Sequence, residues 1–135
     1  MVPVIYLDTS FVIRWVEHIG AFGERARQLV ADEGADRVSA SRLVALECLI
    51  LPLRTRDTVM EAHYRRLFDG LTILPITDAV YEEAARLRAA HLSLRTADAL
   101  HWATAKLGGC TSLWTGDAGL TKLAGPFARN VFAST

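Results

Sequence analysis

The sequence predicts an α/β domain with a mostly parallel central sheet of four to five strands, flanked by helices on both faces. Three observations carry this reading. Short apolar segments alternate with longer helical patterns, as βαβ units require. The strand candidates are close to continuous in apolar residues, the mark of strands buried on both faces. The chain has 135 residues, 51% of them hydrophobic, which suits a single domain with a real core.

The elements follow in order. Residues 3–7 (PVIYL) form the first strand candidate. A helix follows, with Thr9 or Ser10 as its cap, and runs to about Ile19. Residues 22–32 give a second helix. Residues 37–40 read as a strand and 41–53 as a helix stopped near Pro52, whose ring and missing N–H disfavour continuation. Residues 57–68 form the next helix, closed at Gly70. Residues 71–74 are the third strand candidate. Thr77 is placed as the N-cap of a helix over 78–91. The helix over 95–107 ends at Gly108-Gly109, a C-terminal stop signal. Residues 111–114 supply a fourth strand, and a short helix follows Asp117. In such sheets, ligands collect outside the carboxyl ends of the strands.

Composition narrows the function. Fifteen acids balance fifteen bases, so gross charge does not hold this chain to nucleic acid, although a local patch could. The bases are thirteen Arg and two Lys, Lys106 and Lys122. Arg favours bidentate phosphate contact, but a GC-rich coding sequence produces the same bias. No apolar run approaches the roughly 20 residues that span a bilayer. No basic segment precedes the first apolar run, so neither a signal peptide nor a membrane segment is expected, and the expected location is the cytoplasm. Cys48 and Cys110 lack CxxC spacing and are expected as reduced core residues.

Four acids stand apart from the solvated ones. Asp8 ends the first strand inside an apolar run, where a carboxylate costs several kcal/mol unless compensated. Glu47 shares a helical face with Leu43, Leu46 and Ile50, so it lies on the stripe expected to be buried. Asp98 sits on a helix expected to be buried nearly all round, with Leu94, Ala97, His101 and Ala105 on its own face. Asp117 follows the strand TSLW in the turn WTGDAG. Each has a structural alternative. Asp8 or Asp117 can cap a helix, Glu47 can pair with an Arg, and Asp98 can sit in a first turn capped by Thr96. Together, however, two lie at strand ends and two on helices that pack on the sheet. Clustered carboxylates repel one another. Mg²⁺ or Mn²⁺, hard cations that take carboxylate oxygen, are the natural compensation. The histidines His18, His63, His91 and His101 are scattered. His101 is expected as a satisfied helix residue that could line the site.

These residues resemble the PIN-domain family, over essentially the whole chain, and most strongly the toxins of VapBC-type toxin–antitoxin systems. The family's D-[ST]-[SN] after a hydrophobic strand appears as Asp8-Thr9-Ser10. Its S-x(5)-E helix appears as Ser41 to Glu47. Its D-A-x-x-x-A-x-A helix runs from Asp98 to Ala105, and its T-x-D is Thr115-Gly116-Asp117. Each motif is weak alone; four in order are specific. Leu120 stands where the family often has an aromatic or a further acid, and Val44 where it often has a hydroxyl.

The resemblance implies a single PIN-like domain acting as a metal-dependent endoribonuclease, the toxin of a type II system. Asp8, Glu47 and Asp98 would hold Mg²⁺ or Mn²⁺ directly or through water, with Asp117 completing the pocket. The Thr9, Ser10 and Thr115 hydroxyls would orient carboxylates or meet a phosphate. The reaction would be phosphodiester hydrolysis by metal-activated water. Arg14, Arg42 and Arg95, nearest in sequence to the acids, are the candidates for RNA contact. The implied partners are RNA, a VapB-like antitoxin whose tail enters the acidic groove, and a second copy in a homodimer. Leu49, Ile50 and Leu53 could serve that contact or the core. Two other readings stay open: a PIN-like RNA-processing nuclease without antitoxin, and a non-catalytic module whose acids only cap helices.

Overall fold

The computed structural model describes residues 4–17 and 20–131. Pro3, His18 and Ile19 therefore lie outside the described residues. Five strands, β1 (Ile5–Leu7), β2 (Val38–Ser41), β3 (Thr72–Leu74), β4 (Ser112–Thr115) and β5 (Ala128–Asn130), pair in the order β3-β2-β1-β4-β5. All four pairings are parallel. Parallel neighbours need crossovers, and the helices supply them. They are α1 (Thr9–Glu17), α2 (Gly20–Glu33), α3 (Arg42–Thr55), α4 (Thr58–Gly70), α5 (Asp78–Ala90), α6 (Thr96–Leu107) and α7 (Ala118–Ala124). Right-handed crossovers put α1 to α4 on one face and α5 to α7 on the other. The packing groups the same way: α1 lies against α2 and α3, α3 against α4, and α5 against α6. None of the helices among the described residues is long and apolar enough to cross a membrane.

The predicted fold class holds, and four strand candidates coincide with observed strands to within a residue or two. The fifth strand, β5, has no counterpart among the four strand candidates. Tyr6, Leu7, Phe11, Val12, Val38, Val44, Leu94 and Leu113 make the fully buried centre of the core. Cys48 and Cys110 are free and buried, as expected. Thr77 caps α5 by accepting from the Val80 N–H.

Several local expectations are corrected. Asp8 itself caps α1, because its Oδ1 accepts from the Phe11 N–H at 3.0 Å; neither Thr9 nor Ser10 takes that role. The helix α3 does not stop near Pro52 but continues to Thr55, and Arg56 ends it in the left-handed conformation. Proline there forfeits one bond near the end of the helix, and its ring is buried. Thr96 does not cap α6: Arg95 stands at the N-cap without a side-chain bond, and the Thr96 hydroxyl accepts from Arg88. The buried face of α3 also differs from the expected one. It buries Val44, Cys48 and Pro52, whereas Leu46 and Ile50 are 58% and 47% exposed. Nor is α6 buried all round, since Leu107 is exposed.

Candidate active site

The order of strands reverses between β1 and β4, its neighbour on the side reached last. Asp8 follows β1 and Asp117 follows two residues after β4 at this switch point. The Asp8 N–H donates to the Trp114 carbonyl, which ties the two strand ends together. The first turn of α1, the middle of α3 and the start of α6 surround the same opening. Asp8, Thr9, Ser10, Ile13, Glu47, Arg95, Asp98, His101 and Asp117 line one cleft of about 240 Å³. All four sequence-predicted acids thus meet there.

Each acid is held by the fold. Asp8 is buried, and its Oδ1 accepts from Ser10 Oγ at 2.7 Å as well as from the Phe11 N–H. Burial raises its pKa above the ordinary aspartate value, while the Thr115 and Ser10 hydroxyls and the Phe11 N–H pull the other way. Glu47 Oε1 accepts from Thr9 Oγ1 and from His101 Nε2, both at 2.7 Å. The His101 bond is the main reason that the Glu47 carboxyl is lowered below its usual range, against its partial burial. Asp117 Oδ1 caps α7, accepting from the Gly119 and Leu120 N–H groups at 2.8 and 3.3 Å. Asp98 Oδ2 accepts from Arg95 Nε at 3.1 Å, and Arg95 also reaches Asp117 Oδ2 at 3.5 Å. One guanidinium therefore bridges the two acids at the outer side of the cleft. Its own pKa is raised, chiefly by Asp98.

The hydroxyl residues behave as supports. Ser10 Oγ donates to Asp8, accepts from the Gly116 N–H at 2.7 Å and lies 3.3 Å from Thr115 Oγ1. Thr115 is buried and accepts from the Asp117 N–H at 2.9 Å, which fixes the turn that carries Asp117. Gly116 leaves room here: a Cβ on it would come within 3.0 Å of the Arg14 guanidinium. Arg14 thus packs against that turn, and it also lies over the Phe22 ring at 4.9 Å. Arg42 is away from the acids, in an apolar groove with Leu43, Leu46, Leu49, Ile76 and Tyr81. Of the three predicted Arg contacts, only Arg95 lines the cleft.

In the sequence His101 has a secondary place, Ser41 stands out only as the start of the S-x(5)-E motif, and Tyr6 does not stand out at all. His101 lies at i+3 from Asp98, which was the available signal. Tyr6 carried none, since a Tyr in an apolar strand reads as core.

The donor set is all oxygen apart from His101, and hard divalent cations favour such a set. Among the described residues no donor reaches Glu47 Oε2, which leaves an acceptor facing no protein partner. The chemistry therefore fits Mg²⁺ or Mn²⁺. Among the described residues no three His, Cys, Asp or Glu side chains stand close enough to hold one ion as they are. Arg95, bound to two of the acids, is the group whose charge balances them in this arrangement.

A five-stranded parallel sheet with carboxylates gathered at its switch point defines an acid-centred α/β domain. The PIN domain family matches residues 5–126, and the chain belongs to that family. No curated protein matches the sequence. Among solved structures, a toxin–antitoxin complex from Klebsiella pneumoniae is 21% identical with a TM-score of 0.77, covering 96% of this chain and 99% of that one. Mycobacterium tuberculosis VapC20, described as a Sarcin-Ricin loop cleaving toxin, is 22% identical with a TM-score of 0.74, covering 90% and 95%. FitAB bound to an IR36 DNA fragment is 19% identical with a TM-score of 0.76, covering 98% of each chain. At these identities the likeness is one of fold.

Proposed function

We propose that this PIN domain is a Mg²⁺- or Mn²⁺-dependent endoribonuclease, the VapC-type toxin of a type II toxin–antitoxin system. The observation that carries the reading is the convergence of Asp8, Glu47, Asp98 and Asp117 on one cleft at the switch point. Similarity of fold to a Sarcin-Ricin loop cleaving toxin and to a toxin–antitoxin complex supports the substrate and the partner. Asp8, Glu47 and Asp98 would hold the cation, with Asp117 beside them. When bound, the cation would activate water and neutralise charge on the scissile phosphate.

The chain's own residues do the rest. Ser10 and the start of α1 hold Asp8 still. Thr9 and His101 hold Glu47. Thr115 sets the turn bearing Asp117. The Arg95 side chain is 77% exposed at the rim of the cleft, which suits it to receive a phosphate of the RNA backbone. The acidic cleft suits a basic antitoxin tail, and the exposed apolar residues of α3 suit a second copy in a homodimer.

Expression of the chain without an antitoxin should arrest growth, and Asp8→Asn or Glu47→Gln should relieve the arrest. The purified wild type should cleave RNA with Mn²⁺ and not with a chelator. Equal arrest by wild type and both variants would overturn the catalytic reading.

A further inference from the structure

Behind the cleft, a line of buried hydrogen bonds runs on from the His101–Glu47 bond into the sheet. Ser41 Oγ lies 2.8 Å from the Tyr6 hydroxyl, and that hydroxyl lies 2.7 Å from His101 Nδ1. His101 Nε2 lies 2.7 Å from Glu47 Oε1. Ser41 and Tyr6 are fully buried, and the His101 side chain is 4% exposed. These residues come from β2, β1, α6 and α3, so the line ties the sheet to both helices that carry acids in mid-helix or first turn.

The direction of the bonds follows from what each group can do. A carboxylate only accepts, so Nε2 carries the hydrogen at Glu47. In a neutral imidazole Nδ1 then accepts, and Tyr6 donates to it. The Tyr6 oxygen in turn accepts from Ser41. Every member is satisfied, and no buried side-chain polar atom among the described residues lacks a partner. Networks of this kind hold a single geometry, because any rotation leaves a buried group unpaired. Thr9 Oγ1 donates to the same Glu47 oxygen as His101 does. Two donors on Oε1 fix the plane of the carboxylate and leave Oε2 for a ligand.

We propose that His101 is a positioning residue: anchored by Tyr6 and Ser41, it aims Glu47 Oε2 at the divalent cation of the site. This rests on the nuclease reading above, and it goes beyond it by assigning work to three residues outside the acid set. The two ring nitrogens divide the work, Nδ1 meeting the Tyr6 anchor and Nε2 the Glu47 carboxylate.

The test uses two variants that differ in which end of the imidazole they imitate. A Gln at 101 reaches far enough to put an N–H near the position of Nε2. An Asn reaches only as far as Nδ1 and cannot meet Glu47. Mn²⁺ affinity is read by calorimetry, RNA cleavage is read as kcat and KM, and circular dichroism checks the fold. His101→Asn should weaken Mn²⁺ binding about 10- to 100-fold, the usual cost of losing the group behind a metal ligand. His101→Gln should recover most of that affinity. Tyr6→Phe keeps the ring but cuts the anchor, and should weaken binding several-fold. The KM for RNA at saturating Mn²⁺ should stay near the wild-type value in all three. Wild-type Mn²⁺ affinity in His101→Asn and Tyr6→Phe overturns the proposal, as do equal losses in the Asn and Gln variants. In either case the nuclease reading survives if Glu47→Gln still abolishes binding. Absence of Mn²⁺ binding by the folded wild type overturns both.

Discussion

Asp8 sits at the end of β1 with its Oδ1 engaged by a backbone N–H and a hydroxyl, so it is a helix cap as well as a candidate ligand. The two roles had looked like rivals in the sequence. They are compatible because a carboxylate has two oxygens; Glu47 likewise gives Oε1 to the fold, and Asp117 gives Oδ1 to α7 while Arg95 meets its Oδ2. The charges on Asp8 and Glu47 then have opposite effects on stability. The pKa of Asp8 is raised from 3.8, chiefly by burial. The stability it contributes is full below its unfolded value and is lost as pH rises through its folded value. Asp8→Asn keeps an acceptor for Phe11 and Ser10 and removes the buried charge. It should therefore stabilise the metal-free protein at neutral pH by about 1 kcal/mol, or ~3 °C in a domain of this size, while abolishing cleavage. The gain should shrink as pH falls towards 4. The Glu47 carboxyl is lowered, chiefly by the His101 bond. It contributes stability above its ordinary value and loses it as pH falls through its folded value. Glu47→Gln should therefore lower the melting temperature at neutral pH, with the deficit closing in acid. Melting curves in a chelator from pH 4 to 8 check both signs, and a lower Tm for Asp8→Asn at pH 7 would refute the first.

At the scale of elements, what could be read depended on whether a pattern had one solution. The runs VIYL and TSLW are apolar throughout, so β1 and β4 were legible as buried strands. The segment ARN of β5 has an exposed Arg129 and no run at all. It becomes a strand because β4 offers an edge and Ala128 pairs with Leu113, which is tertiary information. The helix α3 failed for the opposite reason. Leu43, Val44, Leu46, Cys48, Leu49, Ile50, Leu51 and Leu53 surround its axis, so periodicity could not select a face. The sheet chose Val44 and Cys48, and Glu47 flanks them at the cleft instead of lying deep within a stripe. The acids were legible through motif spacing, whereas the Tyr6–His101 bond joins residues 95 apart in sequence and leaves no local trace. The surplus apolar surface of α3 has a consequence. Leu46, Ile50 and Leu53 remain exposed, and they are the face available to the second copy proposed above. Leu46→Asp combined with Ile50→Asp should halve the mass seen by light scattering and should leave Mn²⁺ affinity unchanged. A dimer that persists in this variant would place the contact elsewhere.

For the whole molecule, the sheet brings together charges that its own packing cannot neutralise. Four carboxylates share one cleft, His101 and Arg95 are the positive or proton-bearing groups against them, and Arg95 is mostly solvent-exposed. A ligand that binds the folded state and not the unfolded one stabilises it by mass action, by about 2.7 kcal/mol at one hundred times its Kd. Mn²⁺ at that level should raise the melting temperature by roughly 10 °C, and a chelator should reverse the shift. Asp8→Asn and Glu47→Gln should abolish it. Arg95→Ala removes the guanidinium that competes for Asp98 and Asp117, so its shift should appear at a lower Mn²⁺ concentration than in the wild type. The metal-free form of that variant should melt lower, because two acids then repel each other without a counter-charge. A melting temperature that ignores millimolar Mn²⁺ in both wild type and Arg95→Ala would mean that helix capping and the bridging arginine are the whole purpose of these acids.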